Sequence, residues 1–195
     1  MDEPVQVEHD AFMRVIDKGQ LRVMQIVNLA LLGGVLTFVG VVALLGFQRA
    51  GAGQGDAVGS APLLGVMTTV HCIMAAVFFP AGFLIHRWMA GPGGIKVLAQ
   101  NPRVQGLPIE QQCAKAIFTG MIIRLAQFEG MALFGVIVCM VGIQSGELAE
   151  KPMYWVNLFS PVAVVLLVVA TFPTRERIES LFLNRFTDQT VFNTL

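Results

Sequence analysis

Four long apolar segments determine what this chain can fold into. The first covers residues 23–47, which are 25 residues without an ionisable side chain, and the others cover residues 62–86, 116–143 and 153–173. A helix of ~20 residues crosses the ~30 Å hydrocarbon core of a bilayer. Because lipid offers the backbone no hydrogen-bond partners, segments of this length span it as helices. The sequence predicts an all-α integral membrane bundle of four transmembrane helices.

The composition excludes several function classes. Hydrophobic residues make up 55% of the 195 residues and charged residues 13%, about half of the charged share in soluble domains. With 13 basic and 13 acidic side chains the net charge is zero, so no overall field attracts nucleic acid. The three cysteines lack metal-ligand spacing. We therefore expect no enzyme activity, no metal ion, no cofactor and no nucleic-acid partner.

The distribution of cations predicts the orientation. Ten of them fall in the N-terminal arm, in the loop after the second span and in the tail, whereas Arg49 and Lys151 fall on the other side. The ten are Arg14, Lys18, Arg22, Arg87, Lys96, Arg103, Lys115, Arg175, Arg177 and Arg185. Cytoplasmic loops carry the excess of Lys and Arg. Both termini are therefore predicted to be cytoplasmic, in a bacterial inner membrane.

The segments outside the predicted transmembrane domain (residues 23–173) are short. Residues 1–22 form a cytoplasmic arm and residues 174–195 a cytoplasmic tail, both with apolar residues at helical spacing, such as Phe12 and Ile16 in the arm. Helices of this kind commonly lie in the membrane surface, where the arginines of the tail would face lipid phosphates. The Gly-rich segment 51–59 is predicted to be a flexible linker.

Two charged residues interrupt the third span, Arg124 and Glu129. An ionised side chain at the centre of a span costs roughly 2.5–3.5 kcal/mol on insertion scales, so each normally has a reason to be there. Five residues turn a helix by about 140°, and the two side chains therefore do not pair on one face. Asn28 and Gln127 are candidate partners of Arg124, and a neighbouring subunit is another source. The pair could fasten helices together, or it could bind a proton or an ion.

The segment Glu129-Gly-Met-Ala-Leu-Phe-Gly-Val-Ile-Val138 resembles the second helix of the proteolipid (c) subunit of rotary ATP synthases, and Ala99-Gln-Asn-Pro102 resembles the polar loop of that subunit. The resemblance implies that Glu129 is a proton-binding carboxylate. A second resemblance covers nearly the whole chain. Ile122–Glu129 and Phe172–Glu179 read like small uncharacterised four-span proteins of bacteria, which implies the architecture and no activity.

Glycines, prolines and histidines in the spans give weaker signals. Glycines permit close contacts between helices, within the chain or between subunits, and prolines predict kinks at Pro80 and Pro161. The glycines are Gly33, Gly34 and Gly40 in the first span and Gly120, Gly130 and Gly135 in the third. His71 and His86 lie 15 residues apart on one span, which does not suit a bis-histidine haem, and His86 beside Trp88 suggests an interface anchor.

Two functional hypotheses follow. The first is a non-catalytic membrane subunit or scaffold of a larger bacterial complex, whose partners are the lipid bilayer and other membrane subunits or a second copy of the chain. The second is a small proton- or ion-handling membrane protein. Its candidate site residues are Glu129, Arg124, Gln127 and Asn28.

Overall fold

The computed structural model describes residues 9–16, 18–51 and 61–187. All regular secondary structure in these residues is helical. Four stretches are long and apolar enough to cross a membrane: Lys18–Arg49, Leu63–Met89, Ile109–Gln144 and Pro152–Ala170. The predicted all-α fold with four membrane-spanning helices is confirmed. Residues 52–59 of the predicted linker, and the outer ends of the arm and the tail, lie outside the described residues.

The helices follow one another with short connections. The three long ones are α2, α3 and α6, and the fourth span combines a 3₁₀ segment with α8. The bounds are α1 His9–Val15, α2 Lys18–Gly51, α3 Ala61–Met89, α4 Pro92–Ala99, α5 Pro102–Gln105, α6 Ile109–Gln144, α7 Glu147–Glu150, a 3₁₀ segment Pro152–Leu158, α8 Phe159–Ala170, α9 Arg175–Phe182 and a π-helical turn Leu183–Thr187.

The chain divides into two compact units. The first contains the described residues of Met1–Val27, Gly82–Arg124 and Phe172–Leu195, and the second contains those of Asn28–Ala81 and Leu125–Thr171. The long helices α2, α3 and α6 each contribute residues to both units.

In the first unit the two terminal helices pack together. The ring of Phe12 in α1 stacks on that of Phe182 in α9, with 3.9 Å between the ring centroids. Both side chains are fully buried, in one cluster with Ile178 and Ile117. The expectation that the apolar faces of the arm and the tail lie in the membrane surface is therefore wrong for these residues, because protein covers them. The packing also places the described parts of the arm and the tail side by side within the first unit.

The first unit also fixes where Arg124 lies along its span. A Cβ atom built on Gly120 would lie 3.2 Å from the backbone nitrogen of Ala90 and 3.2 Å from Nδ1 of His86. The end of α3 thus packs beside Gly120, and the guanidinium carbon of Arg124 lies 6.0 Å from the ring centroid of Phe83. Arg124 is therefore beside the last two turns of α3, which is close to the end of that span. This position lowers the cost of its charge, which falls with distance from the bilayer centre.

The second unit has an apolar core between its helix segments. One cluster surrounds Val136 and Tyr154, and another surrounds Phe128 and Val164. Pro80 lies inside α3, whereas Pro161 lies in the first turn of α8. The backbone N–H groups in the first turn of a helix have no acceptor within that helix. A proline there, such as Pro161, therefore removes no hydrogen bond from the helix interior. The chain changes from 3₁₀ to α-helix two residues before Pro161, and the kinks at Pro80 and Pro161 stay predictions.

Candidate functional site

A buried polar network lies within the membrane-spanning part of the second unit. Four side chains of α3 and the fourth span, each at least nine-tenths buried, connect these two elements with each other and with a backbone carbonyl oxygen of α6. Its members are Thr68, His71, Asn157 and Ser160, with the carbonyl oxygens of Met131 and Tyr154.

Asn157 is positioned by the 3₁₀ segment that precedes α8. Its amide nitrogen Nδ2 donates to the carbonyl oxygen of Tyr154, three residues earlier, at 2.8 Å. The same nitrogen donates to Oγ1 of Thr68 at 2.9 Å. Since a carbonyl oxygen can only accept, these contacts fix which end of the amide is the nitrogen. The amide oxygen of Asn157 is therefore the atom that faces His71 of α3.

This orientation determines the protonation of one imidazole nitrogen of His71. Nδ1 of His71 lies 2.8 Å from Oδ1 of Asn157. Because an amide oxygen has no hydrogen to donate, Nδ1 carries the hydrogen and donates it. The other nitrogen, Nε2, lies 2.8 Å from the hydroxyl oxygen of Ser160.

The hydroxyl of Ser160 can serve both protonation states of that second nitrogen. When Nε2 has no hydrogen, the hydroxyl donates to it. When Nε2 carries one, the hydroxyl accepts it and donates its own hydrogen to the carbonyl oxygen of Met131, 3.1 Å away. The two states of His71 differ by the rotation of one O–H bond, and each leaves the side chains of the network hydrogen-bonded. The positions of the heavy atoms thus suit Nε2 with or without its hydrogen.

Gly135 of α6 lets the network close. A Cβ atom built there would lie 2.6 Å from Oγ of Ser160 and 2.9 Å from Cε1 of His71, and it would clash with the carbonyl oxygen of Asn157. Only glycine fits this position without displacement of the network. The prediction that glycines support close helix contacts is thus confirmed at Gly135.

Other predicted glycine contacts divide into two groups. Gly120 packs closely against the end of α3, as described above. By contrast, a Cβ atom on Gly33, Gly34, Gly40 or Gly130 would meet nothing within 4 Å. Within the described part of the chain, these four glycines take no part in close packing.

An apolar cavity of about 290 Å³ adjoins the network. It is lined by residues of α3 and of the fourth span, namely His71, Cys72, Ala75, Ala76, Phe79, Val156 and Phe159. Both imidazole nitrogens of His71 are engaged in the network. The ring therefore presents carbon atoms to this space.

The four site residues predicted from the sequence fall into different units. Arg124 belongs to the first unit, and Asn28, Gln127 and Glu129 belong to the second. Arg124 and Asn28 are buried, whereas Glu129 is half-buried. In the described residues, the side-chain oxygen of Gln127 is buried without a hydrogen-bond partner. The hypothesis that these four form one proton or ion site stays a prediction.

The spacing of four polar residues in the sequence indicates the network. Thr68 and His71 are three residues apart, as are Asn157 and Ser160. Residues at this spacing lie on one face of a helix, so two polar pairs occur on two spans. His86, predicted as an interface anchor, is instead buried in the first unit.

Comparison with known proteins gives no relative from which a role could be taken: no family model matches the chain, and no curated protein or solved structure does. Its fold defines it as an all-α, multi-pass membrane protein.

Proposed function

We propose that this chain is a non-catalytic subunit of a membrane complex and that α2 packs against a helix of another subunit. The observation that carries the proposal is a face of small residues on α2. Ala30, Gly33, Thr37 and Gly40 are separated by three, four and three residues, which places them on one side of the helix. All four are exposed.

This face suits contact with another helix in the membrane. Association there relies on close approach of backbones, which small residues permit. Glycine lowers helix propensity by about 1 kcal/mol relative to alanine, and Gly33 and Gly40 gain no compensating contact in the described residues. The hydroxyl of Thr37 donates to the carbonyl oxygen of Gly33 at 2.7 Å. Its polar group is thereby satisfied, and the face stays compatible with an apolar surface.

Glu129 supports the same proposal. It is half-buried, and the described residues provide no hydrogen bond or ion pair for its carboxyl group. Ala126 and Gly130 beside it on α6 are exposed. A carboxyl group within a span ordinarily pairs with another polar group, and a neighbouring subunit would supply that partner on the open side of α6.

Disulfide cross-linking in native membranes tests the proposal. Gly33→Cys is introduced in a Cys72→Ser background, because Cys72 is the exposed native cysteine of the described residues. We expect oxidation to give a cross-linked product at twice the mass of one chain, or at the mass of one chain plus a partner. Phe38→Cys is the matched control, since Phe38 is exposed about 140° around α2 from Gly33.

Equal cross-linking from both positions would indicate random collision. No product from either position would also contradict the proposed contact.

A second candidate function, proton handling, is favoured by the two-state hydrogen bonding at His71. Ionisable residues inside membranes mark proton and ion pathways by default. In this second function His71 carries the proton, Asn157 holds the imidazole ring in place, and Ser160 reorients its hydroxyl group when the proton binds or leaves. The role predicted for Glu129 and Arg124 remains part of this alternative.

A proton-entry assay distinguishes proton handling from the subunit function. The purified protein is placed in vesicles that enclose a pH-sensitive dye. We expect a potential to drive proton entry in the wild type and His71→Phe to abolish it. Thr69→Val is the control, because Thr69 is exposed and, among the residues that the structure describes, its hydroxyl bonds only its own helix at Gly65. Proton entry equal to that of empty vesicles for the wild type would exclude the candidate.

A further inference from the structure

The apolar cavity beside His71 lies in the middle of a membrane span. Its lining residues on α3 run from His71 to Phe79, and the span to which they belong covers Leu63–Met89. At 1.5 Å per residue, the cavity begins ~12 Å from one end of this span and ends ~15 Å from the other. It therefore lies at the depth of the hydrocarbon chains of a bilayer, away from the headgroups.

Small side chains in the middle of the α3 wall leave the space open. Ala75 and Ala76 lie there, and the rings of His71 and Phe79 lie at the two ends of the wall. The ring of Phe79 meets that of Phe159 edge to face, with 6.4 Å between the ring centroids. This aromatic pair connects α3 with the fourth span at one end of the cavity. The space is therefore elongated along α3, over ~12 Å.

The cavity is closed towards the protein and open on one side. His71 is 2% exposed and Ala75 is 9% exposed, whereas Cys72, Ala76 and Phe159 are exposed. The exposed side chains of a membrane span meet lipid or another membrane protein. The occupant of the cavity therefore enters from one of these two surroundings.

The lining residues that the structure describes offer a ligand no strong hydrogen bond. Both imidazole nitrogens of His71 are already engaged, with Asn157 and Ser160, and a thiol such as that of Cys72 is a weak donor. The other lining side chains are hydrocarbon. A polar ligand would lose its hydration here and gain no partner in return. The chemistry of the lining therefore selects an apolar occupant.

The dimensions of the cavity select a single hydrocarbon chain. Its volume of about 290 Å³ is roughly twice that of an engineered cavity of ~150 Å³ that binds benzene, so it has room for roughly twelve carbon atoms. This volume, spread over ~12 Å, gives a mean width of roughly 5 Å. A helix is ~10 Å across and is too wide to enter, whereas a linear chain of methylene groups fits.

We propose that the cavity between α3 and the fourth span binds the terminal part of one acyl chain of a membrane lipid. The chain enters from the exposed side at Ala76 and lies along α3, between the ring of His71 and the aromatic pair of Phe79 and Phe159. This site is separate from the small face of α2, and the proposal does not rest on the subunit function.

Photolabelling of the full chain in phosphatidylcholine vesicles tests the proposal. Two probe phosphatidylcholines carry a diazirine on one acyl chain, either at the chain end or next to the ester group, and mass spectrometry identifies the labelled residues. With the chain-end probe we expect Ala76 and Phe159 to be labelled about threefold more than Ile73 and Val77, because an enclosed chain gains dispersion contacts. Ile73 and Val77 are exposed on the same helix and do not line the cavity. The probe next to the ester should show no such preference.

A variant that fills the cavity provides the second arm. Ala75 is buried and borders the cavity, so the added carbon atoms of Ala75→Leu extend into that space. We expect this variant to reduce the labelling of Phe159 about threefold. Val77→Leu is the matched control at a neighbouring exposed position and should leave the labelling unchanged. If thermal unfolding shows that Ala75→Leu does not fold, Ala76→Phe fills the same space from the rim and replaces it.

Three results would overturn the proposal. Equal labelling of the cavity residues and of Ile73 and Val77 would indicate ordinary contact with bulk lipid. Labelling of Val77 without Ala76 and Phe159 would show that another protein segment covers the opening. Unchanged labelling of Phe159 in the filling variant, or equal labelling of the cavity by both probes, would show that no chain end lies in the cavity.

Discussion

Nδ1 of His71 donates a hydrogen bond of 2.8 Å to Oδ1 of Asn157, and this bond connects two membrane-spanning helices of the second unit. The amide of Asn157 is itself held by Thr68 and by the carbonyl oxygen of Tyr154. A hydrogen bond between membrane helices contributes about 0.6 kcal/mol on average in a folded membrane protein and about 1–2 kcal/mol in model peptides. The connected hydrogen bonds around the imidazole of His71 therefore hold the two helices together and also determine their relative depth.

Thr68→Val should destabilise the fold by about 1–2 kcal/mol, because it leaves one amide hydrogen of Asn157 buried without an acceptor. Thr69→Val is the matched control on the next residue. Thr69 is exposed, and within the described part of the chain its hydroxyl bonds only the carbonyl oxygen of Gly65. Its loss should therefore change stability by less than about 0.5 kcal/mol. Reversible unfolding in mixed detergent measures both. Equal effects of the two substitutions would show that the network adds nothing to stability.

Gly135→Ala should destabilise the protein by about 2 kcal/mol or more, since the added methyl group has no space beside Asn157 and Ser160. Gly130→Ala, on the same helix, places its methyl group in open space. It should be neutral or stabilising by up to about 1 kcal/mol through helix propensity. Thermal unfolding of the two purified variants compares them directly. A neutral Gly135→Ala would contradict the close approach of α6 to the network.

Phe12→Ala should release the N-terminal helix from its contact with α9. Loss of a fully buried phenylalanine typically costs about 3–5 kcal/mol, and here it removes the ring that stacks on Phe182. We expect faster hydrogen exchange in α1 and α9, with α8 unchanged. Phe47→Ala is the control, because Phe47 is 80% exposed. Unchanged exchange in α1 and α9 of the Phe12 variant would show that the stacking does not hold the helix.

Reporter fusions at residue 1 and at residue 195 should both report the cytoplasm. Ten of the twelve cations outside the third span fall on the side of the two termini, and cations accumulate on the cytoplasmic side. The contact between α1 and α9 requires that both fusions give the same answer. Two external signals would reverse the orientation, and two different signals would contradict the packing of the terminal helices.

The fold was predictable from the sequence because a lipid bilayer permits few backbone conformations. Residues 23–47 contain no charge and are long enough to cross a bilayer, and only a helix satisfies the backbone there. The docking of α1 on α9 was not predictable. An amphipathic pattern at Phe12 or Ile178 shows that one face seeks an apolar surface, but lipid and protein satisfy it equally well.

The polar network was predictable in part. The spacing of Thr68 and His71 and of Asn157 and Ser160 places each pair on one helix face. Whether the pairs meet depends on the relative depth of two spans. That depth depends on the 3₁₀ segment Pro152–Leu158, which rises about 2.0 Å per residue instead of 1.5 Å. Hydrophobicity does not distinguish these two helix types, so the depth of Asn157 in its span could not be predicted from the sequence.

The mass of the assembly tests the central claim most directly, namely that the chain is a subunit that packs through the small face of α2. The protein is extracted from its native membrane in mild detergent and weighed by native mass spectrometry. We predict an assembly heavier than the single chain of 21.1 kDa that dissociates when Gly33→Ile and Gly40→Ile are introduced together. A single chain with no other membrane protein bound, at every concentration and in both the wild type and the variant, would contradict the account.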